Sequence, residues 1–148
     1  MRLVPFSAAH LERLELRHAD GLGVASLGHG RDLGRLVALY VQSGPAFTAL
    51  VRGCVAACGG VAVQPGATGN AWMFTSALAG EQPVALARAV RRGLESIEAE
   101  QGLTRIQTTA HCRLGVPPRW FEFLGFAREG LLRRLVGEDD YYLYARVR

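Results

Sequence analysis

Few side chains in this sequence are equipped for proton transfer or nucleophilic attack. An imidazole suits acid–base work near neutral pH, and His111 closes the strand-like run 105–112 with the Cys112 thiol beside it. Cys112 reads first as a core thiol and only second as an acyl acceptor. His18, Asp20, His29 and Asp32 fall in or beside one loop, where they would supply a base or bind an amine; solvated loop residues are the plainer reading. In Tyr141-Tyr142-Leu143-Tyr144 strand alternation sends Tyr142 and Tyr144 to one face and Tyr141 to the other. A phenol that reached a cleft there would be a proton donor. Lysine chemistry is excluded, because all 17 Lys+Arg residues are Arg; there is no Schiff base, P-loop Lys or Lys base. Cys54, Cys58 and Cys112 are odd in number and lack C-x-x-C or His-ligand spacing, which points to reduced thiols and away from zinc.

These groups must be positioned by 148 residues carrying a net charge of +4 and 49% hydrophobic residues. A chain of that length buries roughly 70% of its unfolded surface and needs no metal or disulfide staple. It reads as one domain over 1–148, without repeats or linkers. The N-terminus lacks a secretory signal pattern and no run of 18 apolar residues occurs, so a soluble, cytoplasmic protein without a membrane segment is expected. The basic clusters, Arg133-Arg134 near Arg128 and Arg88 with Arg91-Arg92, have no interleaved aromatic platform, which argues against nucleic acid. A homodimer is compatible with the sequence.

The periodicities predict a short strand at 2–6, an N-cap at Ser7, a helix to about Arg17 and a second helix over 32–42. Strands follow at 47–51 and 54–63, joined at Arg52-Gly53, then a turn over 64–70 and a strand at 71–76. Gly59-Gly60 suggests a bulge or close backbone approach. Pro83 opens a helix whose stripe is Leu86, Val90, Leu94 and Ile97, ended at Gly102. The strand 105–112, a short helix after Pro117-Pro118 and a hairpin of 126–136 with 141–147 complete the chain. The order β-α-α-β-β-β-α-β-α-β-β has one parallel crossover, between the fourth and fifth strands.

That order resembles the GNAT acyltransferase fold, an α/β (α+β) class with a mixed, mostly antiparallel sheet of about seven strands and a parallel β4-α3-β5 crossover. The residue-level likeness is concentrated in 117–145. Trp120-Phe-Glu-Phe-Leu-Gly125-Phe126 is similar to the family's short helix and Leu-Gly-Phe stop, and Asp140-Tyr-Tyr-Leu-Tyr-Ala-Arg146 to its closing strand. A tryptophan just before Leu-Gly-Phe and a short strand-to-helix loop also resemble GNAT-like proteins of phages and prophages.

The resemblance implies acetyl-CoA in a splay between the fourth and fifth strands, with an amine of a small molecule or peptide as acceptor. Backbone near Phe74 and Thr75 would hold the thioester, and Gly80, Gln82 and Val84 the pyrophosphate, at the helix N-terminus that follows. His111 would line the same site. The phosphate loop is degenerate: Glu81 puts a carboxylate where phosphate approaches and Pro83 removes an amide. Phe121 stands where the family often has a Tyr acid, and Leu114 where it often has an Asn, so no catalytic residue is assigned. Two readings follow. One is an N-acetyltransferase; the other is a GNAT-shaped structural or interaction module with lost cofactor binding, in which Phe74, Leu78 or Trp120 would fill the cleft.

Overall fold

The computed structural model describes residues 1–14, 33–114 and 117–148. In chain order the elements are β1 (Arg2–Pro5), α1 (Ala8–Glu12), α2 (Leu33–Gln42), β2 (Ala46–Val51), β3 (Cys54–Gln64) and β4 (Thr68–Thr75). A 3₁₀ turn (Ala77–Glu81), α3 (Pro83–Gln101), β5 (Arg105–His111), α4 (Pro118–Phe123), β6 (Ala127–Val136) and β7 (Asp139–Val147) follow. The strands form one seven-stranded sheet ordered β1-β2-β3-β4-β5-β7-β6. Only β4 and β5 run parallel; every other neighbouring pair is antiparallel. This is the fold class expected from the order of elements. The end of the first predicted helix, and His18, Asp20, His29 and Asp32, lie outside the described residues.

Two turns are tighter than their composition suggested. Gly66 and Ala67 adopt φ of 87° and 59°, which reverses the chain so quickly that Thr68, Gly69 and Asn70 already pair with β3. β4 therefore starts three residues before the predicted position. In the last hairpin, Gly137 at φ 57° lets Val136 pair with Asp139, so Asp139 and Asp140 belong to β7 instead of the turn. Gly59-Gly60 marks a close approach: a Cβ on Gly60 would strike the Pro45 carbonyl oxygen, which accepts from Val61 N–H at 3.1 Å. The bulge lies elsewhere, where the β2–β3 register shifts between Ala49 and Leu50.

One core lies under α3, where Leu94 and Ile97 pack with Val61, Ile106, Phe121 and Tyr144. Each such side chain contributes about 1.5–3 kcal/mol on burial. On the opposite face of the sheet Leu14, Cys58, Trp72 and Phe74 pack with Phe6, Leu11 and Tyr40. α4 ends as the sequence indicates. Gly125 takes φ 84°, its N–H bonds Glu122 O at 2.9 Å, and Phe126 N–H bonds Phe121 O at 2.9 Å. These two bonds are the Schellman closure that an αL glycine permits. No helix among the described residues is long and apolar enough to cross a membrane.

Candidate functional site

β4 and β5 stay paired over three registers only, Thr68↔Arg105, Gly69↔Ile106 and Asn70↔Gln107. Beyond them each strand follows its other neighbour: β4 stays on β3 to Thr75↔Ala57, and β5 stays on β7 to His111↔Tyr141. The two parallel strands separate into a splay. At its apex the Thr108 hydroxyl donates to the Ala71 carbonyl at 3.0 Å, a side-chain bond where the ladder has stopped. Ala71 thus turns its peptide group toward β5. Alternation along an extended strand then turns those of Met73 and Thr75 the same way, and those of Trp72 and Phe74 toward β3.

A cavity of about 520 Å³ runs through the splay. On the α1/α2 side its wall includes Tyr40, Trp72, Phe74, Gln107, Thr109 and His111; on the α3 side it includes Met73, Leu86, Val90, Thr108, Trp120 and Phe121. Tyr40 stacks on Trp72 with ring centroids 5.4 Å apart and planes 16° apart, and Phe74 leans on Trp72 at 6.0 Å. Burial pushes the Tyr40 phenol above its ordinary pKa, so its hydroxyl stays protonated. Trp72 is 8% exposed, and its indole Nε1 is the buried side-chain N or O atom without a hydrogen-bond partner among the described residues.

His111 is buried at the end of β5. Its Nδ1 accepts the Arg113 N–H at 3.0 Å and the Leu114 N–H at 3.1 Å. Two donors on Nδ1 leave the neutral ring proton on Nε2, which lies 3.5 Å from Asp139 Oδ1. Tyr141 packs edge-on to His111 at 5.2 Å and lines the cavity. Tyr142 and Tyr144 take the other face, as strand alternation requires. There Phe121 stacks on Tyr144 at 4.1 Å and the Arg128 guanidinium sits 3.6 Å over Tyr142.

The remaining expected site residues gather beyond β4. Thr75 is buried at its end. Gly80 lies in the 3₁₀ turn, where a Cβ would meet open space. Gln82 precedes α3; its carbonyl accepts the Leu86 N–H at 3.0 Å, so the Val84 and Ala85 amides precede the first intrahelical bond. Val84 is 61% exposed. Phe74 and His111 therefore share the cavity wall, whereas Gly80, Gln82 and Val84 lie around the start of α3.

Three residues with a place here carried no role in the sequence. Arg52, from the β2–β3 turn, reaches Glu81 at 2.6 Å and holds that carboxylate below its usual range through a hydrogen bond and charge attraction. The pair answers the carboxylate that looked out of place beside a phosphate site. No local signal links residues so far apart in sequence. Thr108 and the unpaired N–H of Trp72 were equally hidden, although alternation over Asn70, Trp72 and Phe74 already puts the two rings on one face.

No protein-family model matches the sequence, and no curated protein matches it. Among solved structures, a GNAT-family acetyltransferase from Bacillus anthracis superposes with a TM-score of 0.74 at 19% identity, covering 99% of this chain and 95% of that one. An aminoglycoside 6'-acetyltransferase type Ii superposes at 0.72 and 16% identity, over 99% and 97% of the two chains. The ribosomal-protein-S5-alanine acetyltransferase from Vibrio fischeri superposes at 0.67 and 15% identity, over 98% and 91%. At such identities the likeness establishes the fold: the chain has the seven-stranded mixed sheet of the GNAT acetyltransferases.

Proposed function

We propose that this chain is an N-acetyltransferase, one acyltransferase domain over 1–148, that moves an acetyl group from acetyl-CoA to the amine of a small molecule or peptide. The observation that carries this reading is the open splay: β4 and β5 part after Asn70↔Gln107 and leave a cavity of about 520 Å³. The residues fit the donor at both ends. Inside the splay, the Met73 peptide group faces the position of an extended acyl arm and can hydrogen-bond it, with Phe74 beside it. At the mouth, the Val84 and Ala85 amides at the start of α3, with Gln82 and the neighbouring Arg52, provide donors for a pyrophosphate.

When bound, acetyl-CoA supplies an activated thioester. The chain's part is to hold the carbonyl beside the Met73 peptide edge, keep water out with Phe74, Leu86 and Phe121, and direct the amine to the α1/α2 face. Phe121 has no proton to give, and His111 Nδ1 is occupied by the Arg113 and Leu114 amides. The Tyr141 phenol and water remain as routes for the proton that the departing thiolate takes up. Isothermal titration of the protein with acetyl-CoA tests the reading. Saturable heat together with thiol release on adding amines supports it; neither heat nor a thermal shift at near-millimolar ligand refutes it.

One observation favours the second reading, a GNAT-shaped module that has lost its cofactor. Pro83 removes an amide from the α3 N-terminus, and the loop before it is wound into a 3₁₀ turn instead of opening around an anion. Against it stands the cleft, which that reading requires to be filled by Phe74, Leu78 or Trp120. Phe74 and Trp120 line the cavity instead of plugging it. The divergent loop, like that of phage and prophage GNAT-like proteins, is thus read as a weakened phosphate site on a working cleft.

A further inference from the structure

Resting on the acyl-transfer reading of the splay, we propose that the donor is not limited to acetyl: an apolar passage beneath α3 receives the chain of a medium-chain acyl-CoA, which binds more tightly than acetyl-CoA. The cavity of about 520 Å³ does not end at the splay. From Met73 its lining continues across the sheet through Gly59 and Ala57 to Phe47 and, on β1, Leu3. The register puts these residues on one face. Met73 pairs with Gly59 and Gly59 with Phe47, while Leu3 pairs with Ala49 and Ala49 with Ala57, two residues from Gly59. This is the α3 face, opposite to the one on which Leu14, Tyr40 and Trp72 pack together.

Missing side chains open the passage from both sides. In its floor Gly59 lets Met73 lie flat across β3; a Cβ there would come within 3.2 Å of Met73 Cγ. In its roof Gly93 of α3 lines the cavity, and a Cβ on it would meet nothing within 4 Å. From Met73 outward the described residues of the lining, Leu86 and Val90 of α3 among them, carry no polar side chain. At the outer end Phe47 is 38% and Leu3 44% exposed. Such a surface leaves a polar or charged group without partners and favours an alkyl chain. From Met73 to Phe47 the passage crosses two strand spacings, about 10 Å, roughly the extended length of an eight-carbon acyl chain.

Continuity with the splay selects the donor's acyl chain as the occupant. The thioester carbonyl sits beside the Met73 peptide edge and the amine comes from the α1/α2 face, so the substituent on the carbonyl carbon is the group that turns to the α3 face. The bonds made and broken are those of acetyl transfer. The amine lone pair forms the C–N bond to the acyl carbon, the C–S bond breaks with its electron pair leaving on sulfur, and the proton shed by nitrogen ends on the thiolate. The products are a medium-chain N-acyl amide and free coenzyme A, with no further reactant. Each methylene that the passage buries raises affinity about fourfold, which offsets the amide that Pro83 removes from the phosphate end.

The test is calorimetry of the full chain with acetyl-, butyryl- and octanoyl-CoA. Affinity is expected to rise with chain length, octanoyl-CoA binding at least about tenfold more tightly than acetyl-CoA. Gly93→Leu fills the roof from a helix position that prefers leucine to glycine; it should bring octanoyl-CoA to within about twofold of acetyl-CoA, whose own Kd stays at the wild-type value. Phe47→Thr suits a strand and makes the outer end polar, and should weaken octanoyl-CoA about threefold or more while butyryl-CoA, which ends short of it, is unchanged. Should Gly93→Leu fail to fold, Phe47→Thr decides. Equal affinities for the three donors, or an octanoyl preference that survives the folded variants, overturns the passage and leaves acetyl transfer standing. If neither acetyl-CoA nor octanoyl-CoA binds, acyl transfer is refuted, and octanoyl-pantetheine, which lacks the nucleotide, decides the passage: heat that the variants reduce supports it, and silence overturns it.

Discussion

Arg146 grips Glu98 with two parallel hydrogen bonds, Nε to Oε1 at 2.6 Å and Nη2 to Oε2 at 2.9 Å. The carboxylate side chain is 3% exposed and Arg148 adds a third contact at 3.3 Å. The same guanidinium donates to the Leu124 carbonyl at the end of α4. One cation thus ties α3, α4 and β7 together behind the splay. Removing one partner leaves the other buried and unpaired, so Glu98→Ala or Arg146→Ala is expected to lower stability by about 3–5 kcal/mol. Thermal melts should fall by roughly 10 °C; a change of a degree or two would show the pair to be dispensable.

Thr108 holds the apex of the splay through its hydroxyl on the Ala71 carbonyl. Thr108→Val keeps the shape and removes the donor, with an expected cost of about 1 kcal/mol in urea unfolding. Thr108→Ser retains the hydroxyl and should recover most of it. If the apex also sets how the acyl arm enters, the Val variant raises the Kd for acetyl-CoA severalfold while the Ser variant does not.

Arg52 and Glu81 make opposite predictions at the start of α3. Arg52→Ala removes a cation and should weaken acetyl-CoA binding about three- to tenfold at low salt; Glu81→Gln frees that cation and should tighten it, with both effects fading as salt rises. The ion pair also has a pH signature. Folding lowers the Glu81 pKa, so its contribution is present above the unfolded pKa and disappears as pH falls through the lower folded value. Urea melts on acidification should therefore show wild type losing more stability than Glu81→Gln, by a small margin because both side chains are solvent-exposed.

The three thiols should react in order of burial. Cys54 is exposed and Cys58 fully buried, and burial raises the Cys58 pKa although Thr48, at 3.7 Å, partly offsets it. A maleimide followed by mass spectrometry should label Cys54 first and Cys58 only after denaturation. As pH rises, the unfolded Cys58 thiol ionises before the folded one, so alkaline conditions erode stability through this group. Early labelling of Cys58 would contradict its packing.

Much of the architecture was legible because local rules and burial agree. Pro83 and Gly102 bound α3, and the stripe of Leu86, Val90, Leu94 and Ile97 turns to the sheet as helical spacing demands. Gly125 closes α4 through a conformation that only glycine adopts without strain. Alternation sorted Tyr141 from Tyr142 and Tyr144. Where boundaries moved, at β4 and in the last hairpin, tight turns with positive φ released residues that composition alone assigned to loops.

The site divides along the same line. Residue type and spacing by themselves determined the order of elements, the parallel crossover, the aromatic face of β4 and the absence of lysine chemistry, because each depends on neighbours a few residues away. Only the tertiary structure decided that Arg52 meets Glu81, that Thr108 caps the splay, and that Nδ1 of His111 takes two backbone amides while the Trp72 N–H has no partner among the described residues. Those facts concern partners and missing partners brought together by strand pairing and helix packing. A hydrogen bond's donor is written in the sequence, but whether an acceptor stands opposite it is set by the fold.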